Sequence, residues 1–260
     1  MKKLFTFFLA LASVYSLKAQ DSTTSAPAQD TTIVPAKTPS SKKKDWSKVN
    51  LSNRPNDHFM IQIGYNGWTQ TPDTVNLKGI PRSFNMYFMF DFPFKTNPRF
   101  SVGIGAGLGT DNVYFDKMIV DVTGRNVNAL TFRNVSDTNY FKKYKLMTTY
   151  VEAPIELRFA ANPVNPNKSW KAAIGAKVGT MLAASTKGKN LLNKSGGTVN
   201  SYVQKEKAKR YFNSTRLAVT GRISKGVLGI YGQYQINNFI KEGFGPDIRP
   251  FQVGISISGL

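Results

Sequence analysis

The segment NMYFMFDFPF, residues 85–94, limits the fold of this chain more than any other. With Phe84 before it, Phe84, Met86, Phe88, Phe90, Phe92 and Phe94 recur every second residue, and Asn85, Tyr87, Met89, Asp91 and Pro93 fall between them. Successive side chains of a strand point to opposite faces, so a strand sends the phenylalanines one way and Asp91 the other. A helix would scatter both sets around its axis. Seven further segments carry the same period. Phe59, Ile61, Ile63 and Tyr65 share one face of the first. Phe100, Val102, Ile104, Ala106 and Leu108 oppose Gly103, Gly105, Gly107 and Gly109. Val151, Ala153, Ile155, Leu157 and Phe159 oppose Tyr150, Glu152, Pro154, Glu156 and Arg158. Trp170, Ile174 and Val178 oppose Lys171 and Lys177, and Leu217, Val219 and Ile223 oppose Arg216 and Arg222. Leu228, Ile230, Tyr234 and Ile236 oppose Tyr231, Gln233 and Gln235. Phe251, Val253, Ile255 and Ile257 oppose Gln252, Ser256 and Ser258.

The connections between these eight strands alternate in length. Long ones are expected over residues 71–82, about 111–145, about 186–209 and about 241–249. Short ones fall at KTNP, at about 161–168 and at 225–226. Short turns at one end and long loops at the other predict an all-β fold, an eight-stranded antiparallel transmembrane β-barrel of the outer membrane. An even strand number leaves both termini on the short-turn side, the periplasm.

Alternation alone leaves the barrel free to be inside out, as in a lipocalin with an apolar lumen. Three features turn the apolar face outward. Phe59, Phe94, Phe100, Phe159 and Trp170 gather near the short turns, as one aromatic girdle of a bilayer-spanning barrel does. Four alternating glycines weaken a solvent-facing strand but leave room in a narrow lumen. The polar faces carry both signs: Asp91, Glu152, Glu156 and Arg158 against Lys171, Lys177, Arg216 and Arg222. These eight residues form the expected lumen ionic network. An unpaired buried carboxylate costs several kcal/mol, so Asp91 is expected to meet a cation there. The alternative places it in a wetter rim near the short turn.

The N-terminus reads as targeting rather than fold. Lys2 and Lys3, an apolar run from Leu4 to about Leu17, and Ala19 make residues 1–20 a secretory signal peptide. Residues 21–56 are rich in Ser, Thr, Pro and Lys and read as a disordered periplasmic linker, leaving 57–260 for the barrel. KKKDW in that linker is either a solvated charge run or a contact for an anionic surface. The formal charge of +20 suggests nucleic acid until the signal peptide is weighed. A secreted chain meets anionic lipid and polysaccharide instead, so the expected partners are outer-membrane lipids and lipopolysaccharide, with no nucleic acid.

The strand YVEAPIELRFA resembles a signature of the Bacteroidota outer-membrane β-barrel domain, often called PorT-like. Tyr150, Glu152, Pro154 and Arg158 match its Tyr-x-Glu-x-Pro-x-x-x-(Lys/Arg) pattern. The resemblance covers roughly residues 58–260. It implies a barrel with no catalytic residue to carry over, and one branch of the family is linked to secretion and gliding machinery. Such barrels usually end in an aromatic residue; this chain ends in SISGL, with Leu260 in that place.

An enzyme is the sharpest alternative. The single histidine, His58, falls at the short-turn end, away from any extracellular rim, and there is no cysteine. Glu152 and Glu156 lie four residues apart on a strand, about 13 Å, too far to share a proton. No catalytic site, metal or cofactor is therefore expected. Eight strands enclose a bore just wide enough for side chains to fill, and Tyr87, Arg158 and Lys177 are expected to occlude it. The remaining candidate surface is a basic extracellular loop with Lys187, Lys189, Lys194, Lys205, Lys207 and Lys209 against Glu206. It is suited to lipopolysaccharide phosphates or acidic glycans, or to a protein partner in an envelope complex. The loop 111–145 carries NVYF and NYFKKY and reads either as a recognition surface or as a hairpin prolonging the wall. The expected role is a non-enzymatic structural or accessory component of a secretion or envelope complex, or else a small ligand-binding or slow-permeation barrel.

Overall fold

Alternating apolar and polar residues close into a sheet with two chemically distinct faces. A computed structural model describes residues 59–124 and 128–259. The signal peptide, the linker 21–56, His58 and Leu260 lie outside the described residues. The strands are β1 (Phe59–Thr69), β2 (Arg82–Pro93), β3 (Phe100–Phe115), β4 (Met118–Asp121), β5 (Thr131–Asn134) and β6 (Tyr140–Ala160). They continue as β7 (Trp170–Leu192), β8 (Thr198–Lys207), β9 (Thr215–Lys225), β10 (Leu228–Gln235) and β11 (Arg249–Ser258). β6-β3-β2-β1-β11-β10-β9-β7 are hydrogen-bonded in that order, and β6 pairs with β7 to close an eight-stranded antiparallel barrel. Closure leaves no strand edge inside lipid, where an unpaired backbone group has no partner.

The outer wall is apolar. Phe84, Met86, Phe88, Phe90 and Phe92 of β2 are exposed, as are Ile104, Ile155, Ile174 and Ile255 on other strands. Ile174 is 68 % exposed, which a water-soluble protein avoids across so continuous a patch. Phe59, Phe94, Phe100 and Trp170 ring the short-turn end. At the other end Tyr65 and Phe251 lie 6.0 Å apart, and Phe251 is paired with Tyr234, giving a second aromatic patch. Ile155 sits midway along the apolar stretch of β6. Replacing it by arginine is expected to lower stability by about 2–4 kcal/mol in urea unfolding from phospholipid vesicles. A change below about 0.5 kcal/mol would mean that this face does not meet hydrocarbon.

Two sequence expectations change. The long connections are built rather than loose. β3 runs on to Phe115, β6 starts at Tyr140, and β7 spans 23 residues before turning into β8. A membrane strand needs about 9–11 residues, so β6 and β7 stand well clear of the bilayer. The lysine-rich segment is therefore a β-ribbon, and the first long connection after β3 carries the β4–β5 hairpin. A proline inside a strand has no N–H for the ladder and often marks a bulge, but the bulge here is not at Pro154. The β3–β6 ladder skips from Ile104–Ile155 to Gly107–Glu152 without changing register, so the missing N–H of Pro154 costs hydrogen bonds but inserts no residue. The shift in β6–β7 pairing falls at Thr149/Tyr150.

The extensions enclose an apolar core. Val75, Phe115, Val120, Leu130, Phe141, Tyr211, Phe212, Phe239 and Ile248 are buried there together. Trp68 sits among them, with ring centroids 5.8 Å from Phe115 and 5.6 Å from Phe239. The long-loop end of the barrel is thus stoppered by packed side chains.

Candidate functional site

Below the apolar stopper the bore is polar, and its glycines explain how long side chains fit. A Cβ on Gly103 would collide with the Arg158 guanidinium, and one on Gly107 with the Tyr87 ring. β3 therefore has room only for hydrogen at those positions, and the volume goes to charged and aromatic groups of the neighbouring strands β2 and β6.

Arg216 of β9 is the hub of the first cluster. It is 1 % exposed. Its Nη1 donates to Glu152 Oε1 at 2.9 Å, its Nη2 donates to Asp111, and its Nε donates to Gln235 Oε1 at 3.2 Å. The guanidinium lies 3.7 Å over the Tyr150 ring. Glu152 also accepts from the Tyr87 hydroxyl at 2.5 Å. Lys177 Nζ donates to that hydroxyl and to Gln233 Oε1, both at 2.7 Å, and lies 3.9 Å from Glu152. Asp111 further accepts from Gln252 Nε2 at 2.7 Å. Two carboxylates and two cations are thus taken out of water together, with most of their hydrogen-bonding capacity used. Such a group is stable only as a complete set.

The second cluster lies toward the short turns. Glu156 Oε2 accepts from Arg158 Nε and Arg222 Nη2, each at 2.9 Å. Arg222 Nη1 donates to Ser258 at 2.8 Å. Arg158 Nη1 approaches Asp91 Oδ1 at 3.5 Å, and Ser101 donates to the same oxygen at 2.6 Å. Lys171 lies at the rim, with Nζ 3.4 Å from Asn167 Oδ1. Glu152 and Glu156 fall in different clusters, each held by its own pair of cations. Cavities along this bore are tiny: about 20 Å³ beside Asp91 and Arg158, and about 10 Å³ beside Asn66 and Asp111.

By residue order alone Asp111 falls in the long loop 111–145, whereas in the fold it lies on β3. A signal was present: Asp111 continues the inward series Gly103, Gly105, Gly107, Gly109. The glutamines Gln62, Gln233, Gln235 and Gln252 were legible as inward-facing, but their partners depend on which strands face each other across the bore.

The outer wall above the apolar belt is cationic. Lys145 of β6 is paired directly with Lys187 of β7, which is paired with Lys205 of β8. Lys143 is paired with Lys189 in the next row outward. Like charges placed opposite each other in a sheet are destabilising. Partial burial, then the charges of Lys187 and Lys205, lower the pKa of Lys145 from its ordinary value. Lys207 follows on the exposed ribbon, Lys209 lies just beyond it, and Lys194 at its tip pairs with Asp137 at 2.9 Å. The structure therefore separates the six lysines named from sequence: four lie on paired strands, one at the tip and one beyond β8.

A family model described as "Outer membrane protein beta-barrel domain" matches residues 56–258. No curated protein matches the sequence. One similar solved structure is that of Ail, the attachment invasion locus protein of Yersinia pestis, in complex with the heparin analogue sucrose octasulfate. It is 12 % identical, with a TM-score of 0.31, covering 78 % of this chain and 97 % of that one.

Proposed function

Because the chain belongs to the outer membrane protein beta-barrel domain family, we propose that it serves as a sealed, non-enzymatic wall protein of the outer membrane, a structural or accessory component whose working surface is its exterior. The observation that carries this reading is the filled bore. The Arg216–Glu152–Asp111 and Arg222–Glu156–Arg158 clusters fill it from the middle toward the short turns, and the packed aromatic stopper occupies its long-loop end. A buried carboxylate held by two cations is a poor general acid or base, which favours a structural use of Glu152 and Glu156. In this reading the short turns and both termini face the periplasm, and the β6–β7–β8 ribbon stands outside the cell. A PorT-like role as accessory of a secretion or envelope complex is the finer form of the proposal. Copurification from native outer membranes, with identification of the bound proteins, tests it.

Planar-bilayer recording tests the seal. Reconstituted protein is expected to give no steady ionic steps, because cavities this small hold about one water each. Regular, voltage-stable steps would favour a slow-permeation barrel and overturn the sealed reading.

A further inference from the structure

The apolar belt and the lysine rows share the same strand faces, and the switch between them is abrupt. On β6 the outward positions run Phe159, Leu157, Ile155, Ala153, Val151, Thr149 and Met147, and then Lys145 and Lys143. On β2 they run from Phe92 to Phe84 and then Arg82. From Phe159 to Met147 is about 12 rises of ~3.4 Å, which at a tilt near 40° spans roughly 30 Å. That is the thickness of a hydrocarbon core. The lysines therefore begin where acyl chains give way to headgroups.

A groove of about 640 Å³ opens at that level. It is lined by Arg82, Lys142, Lys143, Lys145, Lys187 and Lys189, with Ile80 and Tyr114 as apolar neighbours. Lys78, also on its wall, is neutralised by Asp116 at 2.7 Å. None of those six cations is held in an ion pair among the described residues. Lys145 Nζ instead donates to Asn112 Oδ1 at 2.6 Å. A row of opposed, unneutralised lysines above an apolar wall costs stability unless an anion lies among them.

We propose that this groove binds the phosphorylated headgroup of an outer-leaflet glycolipid, with the acyl chains lying along the apolar faces of β2, β3, β6 and β7. The inference rests on the outer-membrane orientation proposed above and names the ligand class of that exterior. Continuity with the belt is what selects a lipid over a free polyanion: a soluble ligand would gain nothing from Ile80, which is 66 % exposed, or from the apolar strand faces beneath.

The test uses the mature protein in neutral detergent, with native mass spectrometry as the readout. The probes are diphosphorylated lipid A, its dephosphorylated form, and inorganic phosphate as the soluble competitor. Wild type is expected to prefer the diphosphorylated lipid by at least about tenfold. The variant Lys143→Gln/Lys145→Gln/Lys187→Gln/Lys189→Gln is expected to lose that preference. Arginine at the same four positions is expected to keep it, and Lys194→Gln/Lys209→Gln to leave it unchanged. Circular dichroism checks that each variant remains folded, which removing opposed charges favours. Equal retention of the two lipids, or a quadruple glutamine variant that binds like wild type, overturns the proposal. Displacement of the lipid by inorganic phosphate overturns it too, in favour of a free anion. These failures leave the sealed-bore reading intact, because conductance reports on the bore and lipid retention on the outer wall.

Discussion

Replacing Arg216 by methionine will lower the unfolding free energy by about 3–5 kcal/mol. The guanidinium bridges Asp111 of β3 and Glu152 of β6 from β9, and all three side chains are almost fully buried. Methionine fills much of the same space but leaves two carboxylates facing each other, with Lys177, 3.9 Å from Glu152, as the remaining nearby cation among the described residues. Removing one member of a buried ionic set costs more than the set contributes, because the abandoned charges keep their desolvation penalty. Adding Asp111→Asn and Glu152→Gln to Arg216→Met should therefore recover a substantial part of the loss. Urea unfolding of wild type, Arg216→Met, the triple variant and, as a control, Lys205→Met from phospholipid vesicles measures both effects. If Arg216→Met is no worse than Lys205→Met on the exposed ribbon, Arg216 is not the hub of the bore.

Phe115→Ala is expected to cost about 3–5 kcal/mol, although residue 115 stands beyond the length of a membrane strand. Its ring is 2 % exposed and packs against Trp68, Phe132 and Tyr144, with centroids 5.8–6.2 Å away. Truncation leaves a cavity in a cluster whose parts come from four connections and cannot collapse together. Val203→Ala, on the exposed face of β8, should stay within about 0.5 kcal/mol and serves as the comparison. Equal effects at the two positions would mean that the extensions are loose, and the stopper would no longer explain a closed bore. Loss of native tryptophan fluorescence from Trp68 in Phe115→Ala would report the same unpacking without denaturant.

Much of this architecture was legible in residue order. Phe84 to Phe94 set the outward face of β2, and Asp91 had to point the other way. Glu152, Glu156 and Arg158 shared the inward face of one strand for the same reason. The alternating turn lengths gave the strand number and the barrel. The extensions were harder to read. In FKKYKLM, residues 141–147, the strand persists while Lys143 and Lys145 take the outward places of apolar residues, so the usual sign of a membrane strand disappears. Phe115, Phe141 and Tyr144 then look like scattered loop aromatics, whereas in the fold they meet residues from Val75 to Ile248.

Residue order by itself determined which way the side chains face along the membrane-spanning stretches, because pleating there keeps a period of two. It did not determine which cation meets which carboxylate. Arg216 reaches Asp111 across 105 positions and Glu152 across 64, and Arg222 reaches Glu156 across 66. Those distances close only when β6 pairs with β7 and fixes the width and stagger of the bore. Facing is a property of a single strand, and pairing across a lumen is a property of the closed ring.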